Sequence, residues 1–173
     1  MKLSLIIGSF CLLLLWGCSS TLTRARLYSG SVVRVSSGQT VEVMLTGSNE
    51  LVKVRIIGID APDWRQTPWG PTAKAKLSAL VMNQRVEIEA DNLERDRYGR
   101  VRGHLWQGQT LVSQELVRTG CVLANDRAAH SYSKLLMESQ EYARLLGHGI
   151  WNPQQAMRQT PYQFRLNSQS TKP

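Results

Sequence analysis

The sequence predicts a single α+β domain built on five short strands and three helices. Three observations carry that expectation. Apolar residues alternate with polar ones over short runs, as in Val52, Val54 and Ile56 or in Val86 and Ile88, the two-residue period of a half-buried strand. Other stretches space their apolar residues by three and four, as in Ala73, Leu77, Leu80 and Val81, the period of a helix packed on one face. Short turn signals, Ser-Ser-Gly-Gln at Ser36–Gln39 and Tyr98-Gly99, separate the strand-like runs. A chain of 173 residues supports one domain with a modest core and is too short for two of ordinary size.

Taken in order, Ser31–Val35 and Val41–Leu45 form a hairpin, and Leu51–Ile59 follows the turn at Thr46–Glu50 as a third strand. Pro71–Asn83 is a helix with Pro71 suited to its first turn. Arg85–Ala90 and Val101–Trp106 are the fourth and fifth strands. Thr110 is placed to cap a helix carrying Leu111, Val112, Leu116 and Val117, stopped by Gly120. A last helix runs from about Ser133 to Leu146 and ends at Gly147. The polar, Pro-containing stretch from residue 153 to residue 173 reads as a loose tail. Five strands with helices at the third connection and the end are consistent with an OB-type barrel, but periodicity alone admits other small α+β folds.

The chemistry concentrates in VRIIGIDAPD, Val54 to Asp63. A strand running into Asp-x-Pro-Asp cannot continue its ladder, so Asp60 and Asp63 belong at a sheet rim, with Arg55 five residues before Asp60. A cation beside carboxylates at a rim suits metal-assisted work on a phosphate ester, although a surface arginine beside an Asp-Pro turn explains the segment taken alone. RDRYGRVRG, Arg95 to Gly103, brings Arg95, Arg97 and Arg100 around Tyr98-Gly99. Guanidinium forks match phosphate oxygens bidentately, whereas a bare cluster of this kind is more often a solvated hairpin.

The order SGQTVEV, VRIIGIDAPD, TPWG, RDRYGR, LVSQELVRTG and GIW, over roughly Leu27 to Trp151, resembles the staphylococcal nuclease (thermonuclease) family. The resemblance implies an α+β fold dominated by a five-stranded OB-type barrel, with the domain at residues 27–152. It implies one calcium ion (Ca2+) at the rim, held by Asp60, the carbonyl of Ala61 and the residue at position 39. It assigns Arg55 and Arg100 to the phosphate, and Arg97 and Tyr98 to the neighbourhood of a terminal phosphate and sugar. Two positions depart from the family pattern. Gln39 stands where an aspartate is usual, which keeps an oxygen donor but removes one formal charge. Asp63 stands where a glutamate is usual, one methylene shorter, to help the attacking water or contact the metal itself. The implied activity is hydrolysis of DNA by an endonuclease, with RNA open as a second substrate; the alternative is a catalytically weak nucleic-acid-binding lipoprotein that kept the barrel. Trp64 and Trp69 either stack on bases or anchor their loop, and Tyr132 reaches a base only if its loop folds back.

The N-terminal segment tells of address. Lys2, the apolar run LSLIIGSFCLLLL and Leu15-Trp16-Gly17-Cys18 resemble a signal peptide ending in a bacterial lipobox, with Cys18 lipidated and residues 19–26 as a tether. A plain secretory signal and an uncleaved anchor are the alternatives. Ser19 and Ser20 point to the outer membrane in a two-membrane cell, with the periplasm or secretion as other addresses. Cys121 is expected as a small core residue, and His104, His130 and His148 lack zinc-ligand spacing. A net charge of +8 permits attraction to a polyanion, nucleic acid or acidic lipid alike, and a monomer is expected because nothing demands a dimer.

Overall fold

The computed structural model describes residues 26–90, 93, 95–128 and 130–170. The expectations for residues 1–25, Cys18 among them, lie outside the described residues. The strands are β1 (Arg26–Ser37), β2 (Thr40–Leu45), β3 (Leu51–Ile56), β4 (Ile59–Asp60), β5 (Arg85–Ala90), β6 (Val101–Gln107), β7 (Thr110–Leu111) and β8 (Leu123–Ala124). The helices are α1 (Trp69–Val81), α2 (Val112–Arg118), α3 (Ser133–Leu145) and α4 (Pro161–Ser170), with a short 3-10 turn at Gly149–Trp151.

Strands β3, β2, β1, β5 and β6 are hydrogen-bonded in that order, and a parallel pairing of β3 with β6 closes them into the expected barrel. Val41, Val43, Val52, Val54, Ile88 and Leu105 point inward and are fully buried, so the alternation in the sequence marks the lumen. Leu77 of α1, Leu116 of α2 and Leu136 of α3 complete the same core. Cys121 is buried there as a free thiol, as expected.

Four departures from the sequence reading matter for the site. The third strand does not run unbroken to Ile59: it stops at Ile56, and Gly58 turns the chain at φ +77 before β4. That left-handed conformation suits glycine, and a β-carbon there would lie 2.7 Å from the His130 ring. β1 is longer than read, reaching from Arg26 to Ser37, because its first half pairs with β5. Thr110 does not cap α2; it sits in β7 opposite Gln107, and the helix begins at Val112. Within the C-terminal stretch read as a loose tail, residues 161–170 form α4 and dock against the rim.

Candidate active site

Three chain segments meet at one end of the barrel. The first is the β1–β2 turn, where Ser37 faces Thr40 and Gly38-Gln39 close the hairpin. A β-carbon on Gly38 would lie 2.6 Å from that of Ala73, so glycine lets α1 press directly on the turn that presents Gln39. The second is β4, held by β8 through the pairs Ile59–Ala124 and Asp60–Leu123. The third is β3, where Arg55 sits opposite Thr40 of β2 and Arg102 of β6. A backbone bond from Ile56 N–H to the Gln39 carbonyl, 2.9 Å, ties the first segment to the third.

Gln39, Asp60 and Ala61, predicted from separate motifs, are brought together. Gln39 Oε1 accepts the Ala61 N–H at 2.7 Å, which fixes the amide beside the β4 rim. Asp60 is 8% exposed, and both its oxygens accept from a single nitrogen, Arg165 Nη2, at 2.7 and 2.8 Å. An amide oxygen, a carboxylate and a carbonyl are all hard oxygen donors, so the trio fits a hard divalent cation such as calcium. It does so with one carboxylate: among the described residues, no cluster of three or more His, Cys, Asp or Glu side chains is poised to hold a metal.

Asp63 lines the same cavity of about 500 Å³ as Gln39, Ala61 and Arg165. Its carboxylate is engaged within its own loop, where Oδ1 accepts the Arg65 N–H at 3.0 Å and Arg65 Nε at 2.8 Å. Hydrogen bonding from Arg65 holds the Asp63 carboxyl below the usual range despite some burial, so it is ionised at neutral pH. Trp64 is 76% exposed, which removes loop anchoring as its role and leaves its ring open to solvent. Trp69 is the anchored one, its Nε1 donating to the Gln155 carbonyl at 3.3 Å.

Arg55 and Arg100 open onto a second cavity, about 260 Å³, together with Arg102, Asn125, Arg127 and His130. Arg55 donates to the carbonyls of Ile56 and Ile59, which aims its guanidinium along the rim. Burial lowers its pKa to about 10, still far above neutrality, so the guanidinium stays charged. Arg100 is aimed by Asp96, whose Oδ2 accepts Nε at 3.0 Å and Nη2 at 2.7 Å. Tyr98 is 61% exposed at the turn, with the guanidinium carbons of Arg97 and Arg100 4.8 and 4.9 Å from its ring centre. The two predicted arginines therefore share one cavity, while Arg97 and Tyr98 stand on the exposed turn beside it. Tyr132 does not reach the cleft as a stacking ring: its hydroxyl donates to Glu89 Oε2 at 2.8 Å, and its ring meets Trp106 edge-on.

Sequence reasoning missed Asp96, Arg102, Arg127 and Arg165. Asp96 had a signal, an acid four residues before an arginine across a Tyr-Gly turn. Arg102 could be found by alternation, since it follows Arg100 by two where the chain enters β6. Arg127 and Arg165 carried none, because only the fold brings their distant loop and helix to the rim.

Residues 53–153 match the family model described as staphylococcal nuclease homologue. The chain is 29% identical over 140 residues to the thermonuclease of Staphylococcus hyicus, covering 78% of this chain and 82% of that protein. It is 30% identical to the thermonuclease of Staphylococcus intermedius, covering 77% of this chain and 80% of that protein. With an uncharacterised endonuclease of Escherichia coli it shares 32% identity over 71% of this chain and 76% of that protein.

Proposed function

We propose a calcium-assisted phosphodiester hydrolysis for this chain, which belongs to the staphylococcal nuclease family and is a nuclease. The observation that carries the reading is the division of the rim. Oxygen donors Gln39, Asp60 and Ala61 stand on one side, while Arg55 and Arg100 open together onto the cavity on the other. The substrate is DNA, and RNA by the same backbone chemistry.

Arg55 and Arg100 bind the scissile phosphate and offset the charge that builds on its oxygens as water attacks phosphorus. Both are held by protein acceptors before substrate arrives, so little reorganisation is needed at the moment of reaction. Arg97 and Tyr98 meet the neighbouring phosphate and sugar from the exposed turn. Asp63, ionised and on the donor side, accepts a hydrogen bond from the attacking water and orients it. Calcium, when held by Gln39, Asp60 and Ala61, supplies Lewis-acid polarisation of a phosphoryl oxygen.

Gln39 favours a second reading, a nucleic-acid-binding barrel that cleaves weakly, because the amide gives up one negative charge. One experiment separates the two: digestion of plasmid and of heat-denatured DNA with calcium or with chelator, by the wild-type chain and by Gln39→Asp. Calcium-dependent cutting by the wild type is the expected result. Cutting only after Gln39→Asp would give the binding reading the field.

The same reading places the protein outside the cytoplasm as a monomer, tethered through a lipid on Cys18 to the outer membrane or facing the periplasm. The apolar run before Cys18 supports it. Incorporation of labelled fatty acid into the wild type, lost in Cys18→Ser, is the expected outcome; no labelling of the wild type would send the address back to plain secretion.

A further inference from the structure

The segment after the 3-10 turn is fastened across the mouth of the site at five points. Gln66 Nε2 donates to the Gln159 carbonyl at 2.9 Å, and Trp69 Nε1 donates to the Gln155 carbonyl. The Arg65 guanidinium carbon lies 5.2 Å from the Phe164 ring centre, and that of Arg127 lies 3.8 Å from the Tyr162 ring centre. The fifth point is Arg165 on Asp60. Arg65 and Gln66 belong to the loop beside Asp63 and Trp69 opens α1 directly after it, whereas Arg127 lines the phosphate cavity. Helix α4 therefore bridges the two walls of the cleft and carries a cation to the carboxylate between them.

That cation sits where it matters. Asp60 supplies the sole formal negative charge among the three donors Gln39, Asp60 and Ala61, and both its oxygens are taken by one guanidinium nitrogen. A divalent ion approaching the same oxygens meets a positive charge within about 3 Å of them, and two cations at such range repel strongly. The carboxylate cannot serve both in this geometry. The aromatic contacts of Tyr162 and Phe164 anchor α4 independently of the ion pair, which keeps the guanidinium at high local concentration beside the carboxylate.

We propose that α4 is an autoinhibitory strap: Arg165 occupies the cation position on Asp60, and calcium binds only by displacing it and loosening the helix from the cleft. The inference rests on the reading of Asp60 as a cation ligand and adds that this chain carries its own competitor for that ligand. It also supplies a reason for the C-terminal segment to order at all. Its composition is polar, and the groups that hold it are Asp60, Arg127 of the phosphate cavity and the Arg65–Trp69 stretch that follows Asp63.

The test is calcium binding itself, measured by calorimetry on the full chain in the absence of nucleic acid. Competition predicts that Arg165→Gln binds calcium on the order of five- to tenfold more tightly than the wild type, since a closed strap scales the apparent affinity by the open fraction. The double variant Tyr162→Ala with Phe164→Ala, which keeps Arg165 but loosens its helix, is expected to bind more tightly than the wild type too. Calcium should also speed tryptic cutting after Arg158, at the exposed approach to α4, in the wild type. The Arg165→Gln chain should be cut fast with or without calcium. Measurable but equal affinities in the wild type and Arg165→Gln would overturn the strap and leave Asp60 as a cation ligand. Weaker binding by Arg165→Gln would overturn it as well, because Arg165 would then be ordering Asp60 rather than competing for it. Calcium binding by none of the chains, with circular dichroism unchanged, would overturn the cation reading and the strap with it.

Discussion

Asp96 holds Arg100 by both ends of its carboxylate. Oδ1 accepts the backbone N–H groups of Tyr98 and Arg100, each at 2.9 Å, which closes the turn on Gly99 at φ +71. Oδ2 accepts the Arg100 guanidinium. Burial opposes ionisation of this carboxyl, but the guanidinium and the two amides outweigh it and bring the pKa down to about 2. One short side chain thus shapes the turn and points the arginine. Two substitutions separate those effects. Arg100→Ala removes the phosphate contact and is expected to abolish cleavage, with the fold intact by circular dichroism. Asp96→Ala leaves the guanidinium in place but unaimed, so kcat/KM should fall by about tenfold, with a stability loss of about 1–2 kcal/mol from the freed amides. Wild-type cleavage by Asp96→Ala would show that Arg100 finds the phosphate unaided. The same scale shows what a sequence conceals. Arg55, Asp60 and Arg100 were legible because each stands in a motif whose spacing fixes its place. Arg165 was not, since its partner Asp60 is 105 residues away and no pattern links the two.

At the scale of elements, alternation identified the lumen residues of β3 and β5, because a barrel strand has one wet and one dry face. It failed where an element ends for a tertiary reason. Ile57 to Ile59 keep the apolar look of a strand, but the chain must turn at Gly58 to bring Asp60 against β8 while His130 packs on the glycine. The polar C-terminal segment gave no apolar stripe to read, since α4 docks through cation–π contacts and an ion pair. The packing of β6 against the start of α3 has a measurable consequence. His104 of β6 is buried, its ring 4.9 Å from that of His130 and edge-on to Tyr132. Burial, reinforced by His130 and only partly opposed by Glu89, lowers its pKa from 6.5 to about 4. The unfolded chain therefore takes up the proton first as pH falls, and the native state loses stability between pH 6.5 and pH 4. The loss at pH 4.5 relative to pH 7 should be roughly 2–3 kcal/mol by denaturant unfolding. His104→Gln should flatten that slope, and an unchanged slope in the variant would place the acid sensitivity elsewhere.

For the whole molecule, a net charge of +8 is compatible with nucleic acid, acidic lipid or cell-wall polymer, so net charge alone does not select among them. The fold does select, because it gathers Arg55, Arg100, Arg102 and Arg127 around one cavity while, among the described residues, Asp96 is the only acid lining it. A diffuse basic surface gains counterion-release affinity from whichever polyanion touches it, in proportion to charge density alone. A cleft gains it from a single threaded backbone, through a small and countable set of phosphates. Binding of single-stranded DNA under chelator, where no cleavage intrudes, should then show log K falling with log salt at a slope of about −2 to −3, as for three or four phosphate contacts. Arg102→Ala should make that slope shallower by somewhat less than one, without touching the residues assigned to the chemistry. Lys134, almost fully exposed on α3, provides the control on a different element: Lys134→Ala lowers the net charge equally and should leave the slope where it is. If both substitutions change the slope alike, the protein binds through overall charge, and the cleft loses its claim as the path of the nucleic acid backbone.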